Sequence, residues 1–258
     1  MPYVCIGVPF ALGKQQTPSA VDVLKHGGIA AEFNAEWIDI QPDFAAHDDP
    51  VVAVNRALAD AIAAHPGHTP LIFASDCTSA LGAVKGLQPR DPAVLWYDAH
   101  GDFNTPETSP SGYLGGMPLA AMVGRGNEAL VQAIGFTPLA ERDILITDAR
   151  DLDPQEGVNL RASQMTFLPN FADLLTAPLP TKPLYIHMDV DVVDPSDIPA
   201  QNYPAPGGPS VDEAAASMQR VIRDATVAGV LFSLWDESLS GADVARENTL
   251  KLIRALEK

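Results

Sequence analysis

Cysteine is scarce in this chain: two residues, Cys5 and Cys77, in 258. Two thiols build no disulfide framework, so a reducing cytoplasm is the expected compartment. Basic residues are equally thin, 16 Lys and Arg against 33 Asp and Glu, for a formal charge of −17. That balance argues against nucleic acid or an anionic membrane surface as a partner. No apolar run reaches the roughly 20 residues of a membrane-spanning helix. The opening Met1-Pro2-Tyr3-Val4 lacks the basic start and apolar stretch of a secretion signal. No composition break, Gly/Ser-rich linker or repeat marks a second domain, and the 23 prolines are dispersed like turn punctuation. One domain spanning 1–258 is expected, long enough for one large core.

The chain does contain a strict alternation of short apolar runs and helical stretches. Tyr3–Val8, Trp37–Ile40, Pro70–Ala74, Ala93–Tyr97, Ile144–Thr147, Leu184–Met188 and Val230–Leu234 are bounded by Gly, Pro or Asp and read as buried strands. Between them Val51–Ala64, Ser79–Lys85, Met117–Ile134, Val211–Arg223 and Ala242–Leu256 read as helices, and Ser210-Val-Asp-Glu213 is a capping box. Alternation of this kind predicts an α/β fold, a mainly parallel sheet with helices on both faces. Ligands then bind beyond the carboxyl ends of the strands.

Two acidic clusters sit at such ends. Asp98-Ala-His100-Gly-Asp102 follows Val94–Tyr97, and Asp189-Val-Asp191-Val-Val-Asp194-Pro195 follows Pro183–Ile186. Residues two apart on a strand point the same way, so Asp98, His100 and Asp102 can converge, as can Asp189 and Asp191. Carboxylates gathered with an imidazole repel one another unless a cation lies between them. Oxygen donors with one nitrogen suit Mn²⁺ or a similar divalent ion. Carboxylates able to bridge suggest two ions, an arrangement that generates a nucleophile from water at neutral pH. An isolated Asp-x-Asp is often only a solvated loop or helix cap; the pair of clusters is far more specific.

Together these motifs resemble the metal motifs of the ureohydrolases, the arginase and agmatinase family. The resemblance runs from Ile6-Gly-Val-Pro-Phe10 to Leu234-Trp-Asp-Glu237. It implies a three-layer α/β/α arginase-like fold and two Mn²⁺ ions. One would be held by Cys77, Asp98, Asp102 and Asp189, the other by Asp98, His100, Asp189 and Asp191. It also implies hydrolysis of the guanidine of a small amino acid, with Asp102 carrying a proton to the leaving nitrogen. Asn104 and Ser111 match positions that bind an α-carboxylate, which disfavours agmatine. Asp153 and Glu156 match positions that hold an α-ammonium, although Asp151–Glu156 also reads as an Asp-Pro turn entering a helix. Glu237 matches the catalytic-site carboxylate that receives the guanidinium end.

The chain departs from the family twice. The family's Gly-Gly-Asp-His-Ser motif corresponds to Ala74-Ser75-Asp76-Cys77-Thr78, so a histidine ligand has become Cys77. Three readings are open: a thiolate ligand, an inert buried cysteine, or a nucleophile. Ligation is preferred, because one ligand type has replaced another. The second departure is Gly115, at a position where arginases carry a proton-shuttling histidine. His187, two residues before Asp189, reads as a hydrogen-bonded core histidine. An N-hydroxyguanidine is less basic than arginine's guanidinium and asks less of proton shuttling. The combination resembles the family branch that converts Nω-hydroxy-L-arginine to L-ornithine and hydroxyurea in D-cycloserine biosynthesis. Ordinary arginase is the alternative, and a metal-poor, non-catalytic relative is a third reading. A monomer is expected, because the acidic surface opposes self-association and no tail follows the last helix, as it does in trimeric arginases.

Overall fold

The computed structural model describes residues 2–257; Met1 and Lys258, the ends of the expected domain, lie outside the described residues. In chain order the strands are β1 (Tyr3–Val8), β2 (Phe10–Ala11), β3 (Lys14–Gln15), β4 (Trp37–Asp39), β5 (Thr69–Ala74), β6 (Ala93–His100), β7 (Ile144–Asp151), β8 (Thr166–Leu168), β9 (Leu184–Asp189) and β10 (Val227–Ser233). The helices are α1 (Ala20–His26), α2 (Ile29–Glu32), α3 (Pro50–Ala63), α4 (Ala80–Leu87), α5 (Pro118–Met122), α6 (Glu128–Ile134), α7 (Pro154–Ala162), α8 (Val211–Asp224) and α9 (Ala242–Arg254). The main sheet runs β4-β1-β5-β10-β9-β6-β7-β8. Every neighbouring pair in it is parallel. The antiparallel hairpin β2–β3 stands apart.

The alternation of side chains explains the three layers. Val4, Ile6, Val94, Trp96, Tyr185 and Leu231 face one side, where they pack with Leu58 of α3 and Val84 of α4. Cys5, Leu95, Tyr97, Ile186 and Phe232 face the other, against Leu24 of α1, Met218 of α8 and Leu252 of α9. Both faces are covered, so β5 and β9 are buried along their whole lengths. The expected mainly parallel α/β/α architecture is therefore the one observed.

Some expected elements change. The single helix expected over Met117–Ile134 is two, α5 and α6. Gly124 and Gly126 between them adopt φ of +80° and +64°, a left-handed backbone that ends a helix cheaply. Helices α1 and α2 and strand β8 were not expected; α7 follows the Asp-Pro turn as one reading of Asp151–Glu156 had it, although it is polar along Pro154-Gln-Glu-Gly-Val-Asn-Leu-Arg161 and carries no apolar stripe. The capping box that starts α8 is formed as expected: Ser210 Oγ accepts from Glu213 N at 3.3 Å and Glu213 Oε2 accepts from Ser210 N at 2.8 Å.

Because the main-sheet strands are parallel, their carboxyl ends share one edge. Adjacent β5, β10, β9, β6 and β7 deliver to it Cys77, Ser233, Asp189, Asp98 with His100, and Asp151.

Candidate metal centre and substrate cavity

Strands β6 and β9 pair with Trp96 opposite His187 and Tyr97 opposite Met188, which sets Asp98 beside Asp189. Asp98 is 1% exposed; Trp96 Nε1 donates to its Oδ2 at 3.0 Å and His100 N to its Oδ1 at 2.7 Å. His100 Nδ1 lies 3.3 Å from Asp98 Oδ1 and 3.0 Å from Asp191 Oδ2. Ala99 N donates to Asp191 Oδ1 at 3.2 Å, and Asp191 N donates to Asp189 Oδ1 at 2.9 Å. Cys77 starts a short turn after β5, held by Asp76, whose Oδ1 accepts from Thr78 N at 3.1 Å. Its thiol donates to Asp189 Oδ2 at 2.8 Å and approaches Ser233 Oγ at 3.3 Å. Asp102 lies beyond β6 with φ of +47°, buried, and its Oδ2 has no partner among the described residues.

Two donor groups result. Atoms of Cys77, Asp98, His187 and Asp189 lie within 4.8 Å of one another, and so do atoms of Asp98, His100 and Asp191. His187 corrects an expectation. It is buried as foreseen and stacks on Trp96 with ring centroids 3.6 Å apart, yet both ring nitrogens lack partners among the described residues. It is not a hydrogen-bonded core histidine. Buried donors without partners are costly unless something satisfies them. An orphaned Asp102 oxygen and a mixed sulfur, nitrogen and oxygen donor set fit a divalent metal site.

The charges say the same. Burial, then repulsion by Asp191, pushes the Asp189 carboxyl up to about 7. Burial and the charge of Asp98 push Asp191 up to about 6. Asp98 and Asp102 are also raised, burial leading in both. The Cys77 thiol is driven well up by burial and by Asp189, Asp102 and Asp98. His100 is raised to about 12; burial opposes its charge, but hydrogen bonds to Asp191 and Asp98 prevail. Without a cation the carboxylates hold their protons to higher pH than usual. A divalent ion reverses every one of these shifts.

A cavity of about 330 Å³ opens over this cluster. Asn104, Ser111, Asp153 and Glu156 all line it, as the motif match requires. Asn104 Nδ2 donates to Asp153 Oδ2 at 2.9 Å. Glu156 is occupied elsewhere: Oε1 accepts from Phe103 N at 2.8 Å and Oε2 from Asp153 N at 3.1 Å. It braces the loop after β6 and caps α7, and each of its oxygens keeps a lone pair beyond these bonds in a residue that lines the cavity. Glu237 is not brought to the cavity wall. Its Oε2 accepts from Trp235 Nε1 at 2.7 Å, and Trp235 itself lines the cavity. Sequence reasoning missed Tyr113, the Gln201-Asn202-Tyr203 loop, Ser233 and Trp235, which also line it. It missed Arg150 as well, which ion-pairs with Asp148 and donates to Asp191 O at 3.1 Å and Val192 O at 3.0 Å.

The carboxyl-edge acidic cluster on a parallel sheet has close counterparts. Residues 4–231 match the model of the Arginase family. The chain is 31% identical to an arginase of Brevibacillus brevis over 86% of each chain. It is 30% identical to an arginase of Bacillus caldovelox over 84% of this chain and 85% of that one. The crystal structure of arginase from Bacillus subtilis superimposes with a TM-score of 0.87 at 25% identity, covering 99% of this chain and 98% of the other. The chain belongs to the Arginase family. It is a hydrolase acting on amidino carbon–nitrogen bonds. Among the described residues no helix is long and apolar enough to cross a membrane.

Proposed function

We propose that this enzyme hydrolyses Nω-hydroxy-L-arginine to L-ornithine and hydroxyurea, using two divalent ions, manganese by the donor chemistry. One ion would rest on Cys77, Asp98, Asp102 and Asp189, the other on Asp98, His100, Asp189 and Asp191. When bound, such ions supply a nucleophile from water at neutral pH and polarise the guanidine carbon. The chain's own residues do the rest. Asp102, with a buried oxygen free of partners, accepts the proton of the attacking water and delivers it to the departing nitrogen. The Asn104–Asp153 pair and Ser111 receive the α-carboxylate and α-ammonium ends. Glu156 holds Asp153 and the loop in place for them. Glu237 enters only as the anchor of the Trp235 indole.

The observation that carries the substrate choice is the pairing of Cys77, hydrogen-bonded into the acidic cluster, with Gly115, which offers no acid or base. A thiolate adds negative charge where histidine is neutral, and it weakens the Lewis acidity of the ion beside it. A weaker centre without a proton shuttle suits the less basic, more readily attacked N-hydroxyguanidine. Ordinary arginase activity, L-arginine to ornithine and urea, is the second reading, favoured by the relatives named above. Retention of Asp98, His100, Asp102, Asp189 and Asp191 together in one buried cluster speaks against a non-catalytic relative. One domain over 1–258 is part of the same proposal, supported by a sheet that recruits strands from Tyr3 to Ser233. Ornithine formation measured with Nω-hydroxy-L-arginine, L-arginine and agmatine tests it. The expected order of kcat/KM is hydroxyarginine first, arginine well below and agmatine inactive. Equal use of arginine, or turnover of agmatine, would contradict it.

A further inference from the structure

Gly115 does not owe its identity to backbone strain, since its φ is outside the left-handed region. Space is the reason. A Cβ built on Gly115 would lie 2.3 Å from Tyr113 Cε1, 2.5 Å from Cζ and 2.7 Å from Oη. The phenol therefore fills the volume that a side chain at position 115 would enter, and the two residues are coupled. Glycine is needed so that the tyrosine can be there.

Several contacts hold the phenol in that place. Tyr113 is the cap of the short turn Leu114–Gly116. Its N donates to Ser111 Oγ at 3.2 Å and its carbonyl accepts from Gly116 N at 3.2 Å. Gly116 O in turn accepts from Asn104 N at 3.1 Å, which ties the turn to the loop that follows β6. The Tyr113 ring packs against Tyr203 at 5.3 Å between centroids, and Tyr203 meets His100 edge-on at 6.4 Å. Tyr113 and Gly115 both line the cavity, and the hydroxyl sits 2.7 Å from the position a residue-115 Cβ would take. Burial, then Asp76, Cys77, Tyr203 and Asp102, raise its pKa, so the phenol keeps its proton. It offers a hydrogen-bond donor to a cavity that also carries the carboxylates of Asp102, Asp153 and Asp189.

We propose that Tyr113 is the specificity-determining residue for Nω-hydroxylated guanidines: its hydroxyl, standing where a residue-115 side chain would project, donates to the Nω-hydroxyl oxygen of the substrate. This rests on the hydroxyarginine reading. The guanidine of arginine ends one oxygen short of that hydroxyl, so arginine gains nothing from it. The contact is a hydrogen bond only; no proton need be transferred.

Steady-state ornithine formation from both substrates, in wild type, Tyr113→Phe and Gly115→Ala, tests the assignment. Losing one hydrogen bond to the reacting group lowers kcat/KM about tenfold. Tyr113→Phe is expected to lose that much on hydroxyarginine while arginine changes by less than about twofold. A general disturbance of the loop would lower both equally. Gly115→Ala is expected to reproduce the loss by pushing the ring aside, and Gly115→Ala with Tyr113→Phe is expected to lose no more than either alone. Unchanged selectivity in Tyr113→Phe, with wild type preferring hydroxyarginine, overturns the role of Tyr113 alone. No preference in wild type overturns the substrate reading beneath it.

Discussion

Cys77 is the residue on which the chemistry of the centre turns. Its thiol is already hydrogen-bonded to Asp189, within reach of Asp98 and His187. Bound to a dication it becomes a thiolate. Cys77→Ala is expected to leave one ion weakly held: metal content after gel filtration should fall from two equivalents toward one, with loss of most activity. Cys77→His is expected to keep both ions and to raise arginine turnover relative to hydroxyarginine. Full metal content and activity in Cys77→Ala would remove Cys77 from the ligand set. The carboxylates make a separate prediction through pH. Asp189 and Asp191 are pushed up to about 7 and about 6, against about 3.9 in an unfolded chain. Between those values the metal-free fold binds more protons than the unfolded chain, so its stability falls as pH rises. Metal binding needs the deprotonated forms and expels those protons. Thermal unfolding from about pH 5 to about pH 8 should show the stabilisation by Mn²⁺ widening with pH. A constant gap would contradict the role of these carboxylates. The gathering of the acidic residues was legible in the sequence because each cluster is contiguous and follows a strand end. Tyr113 was not, because its place over Gly115 comes from the turn that folds it back, and nothing in the sequence signalled that the Glu237 carboxylate pairs with the Trp235 indole.

Among the elements, the loops at the carboxyl edge of the sheet are joined by one half-buried guanidinium. Arg150 closes β7 where Asp148 and Ala149 take φ of +72° and +44°, and its side chain reaches Ala205 O at 3.0 Å as well as Asp191 O and Val192 O. It thereby joins the second acidic turn to the loop that carries Tyr203. Arg150→Met leaves the buried Asp148 carboxylate and three carbonyls without this donor, a loss of about 3 kcal/mol. Denaturant unfolding should show that loss, and metal affinity should fall with it. Arg150→Met with Asp148→Leu should recover part of the stability, because the stranded charge is gone. If Arg150→Met unfolds like wild type, the brace is not structural. Strand positions were readable from apolar runs bounded by turn residues, since strands buried on both faces carry a strong local signal. Helix α7 was legible only at its Asp-Pro start, because the rest of it is polar; Glu156 fixes that start and also holds Phe103 across the chain. The break between α5 and α6 was present in Gly124-Arg-Gly126, but the apolar content on both sides obscured it.

At the scale of the whole molecule, the formal charge of −17 is the dominant surface property. Like charge opposes association, and we expect a monomer in solution. Light scattering after size exclusion should give a mass near 27.4 kDa; three times that mass would show that the acidic surface does not prevent assembly. Part of that acid lies at the sheet edge, where the ends of β5, β6 and β9 bring Cys77, Asp98, His100, Asp102, Asp189 and Asp191 together. A parallel sheet gathers these groups from distant sequence positions at no local cost, and their mutual repulsion is relieved by retained protons in the metal-free fold or by cations between them. Diffraction at the manganese absorption edge, from crystals of Mn²⁺-loaded protein, tests this claim most directly. The account predicts two anomalous peaks about 3.5–4 Å apart, one beside Cys77 and one beside His100. One peak, or none, would contradict it.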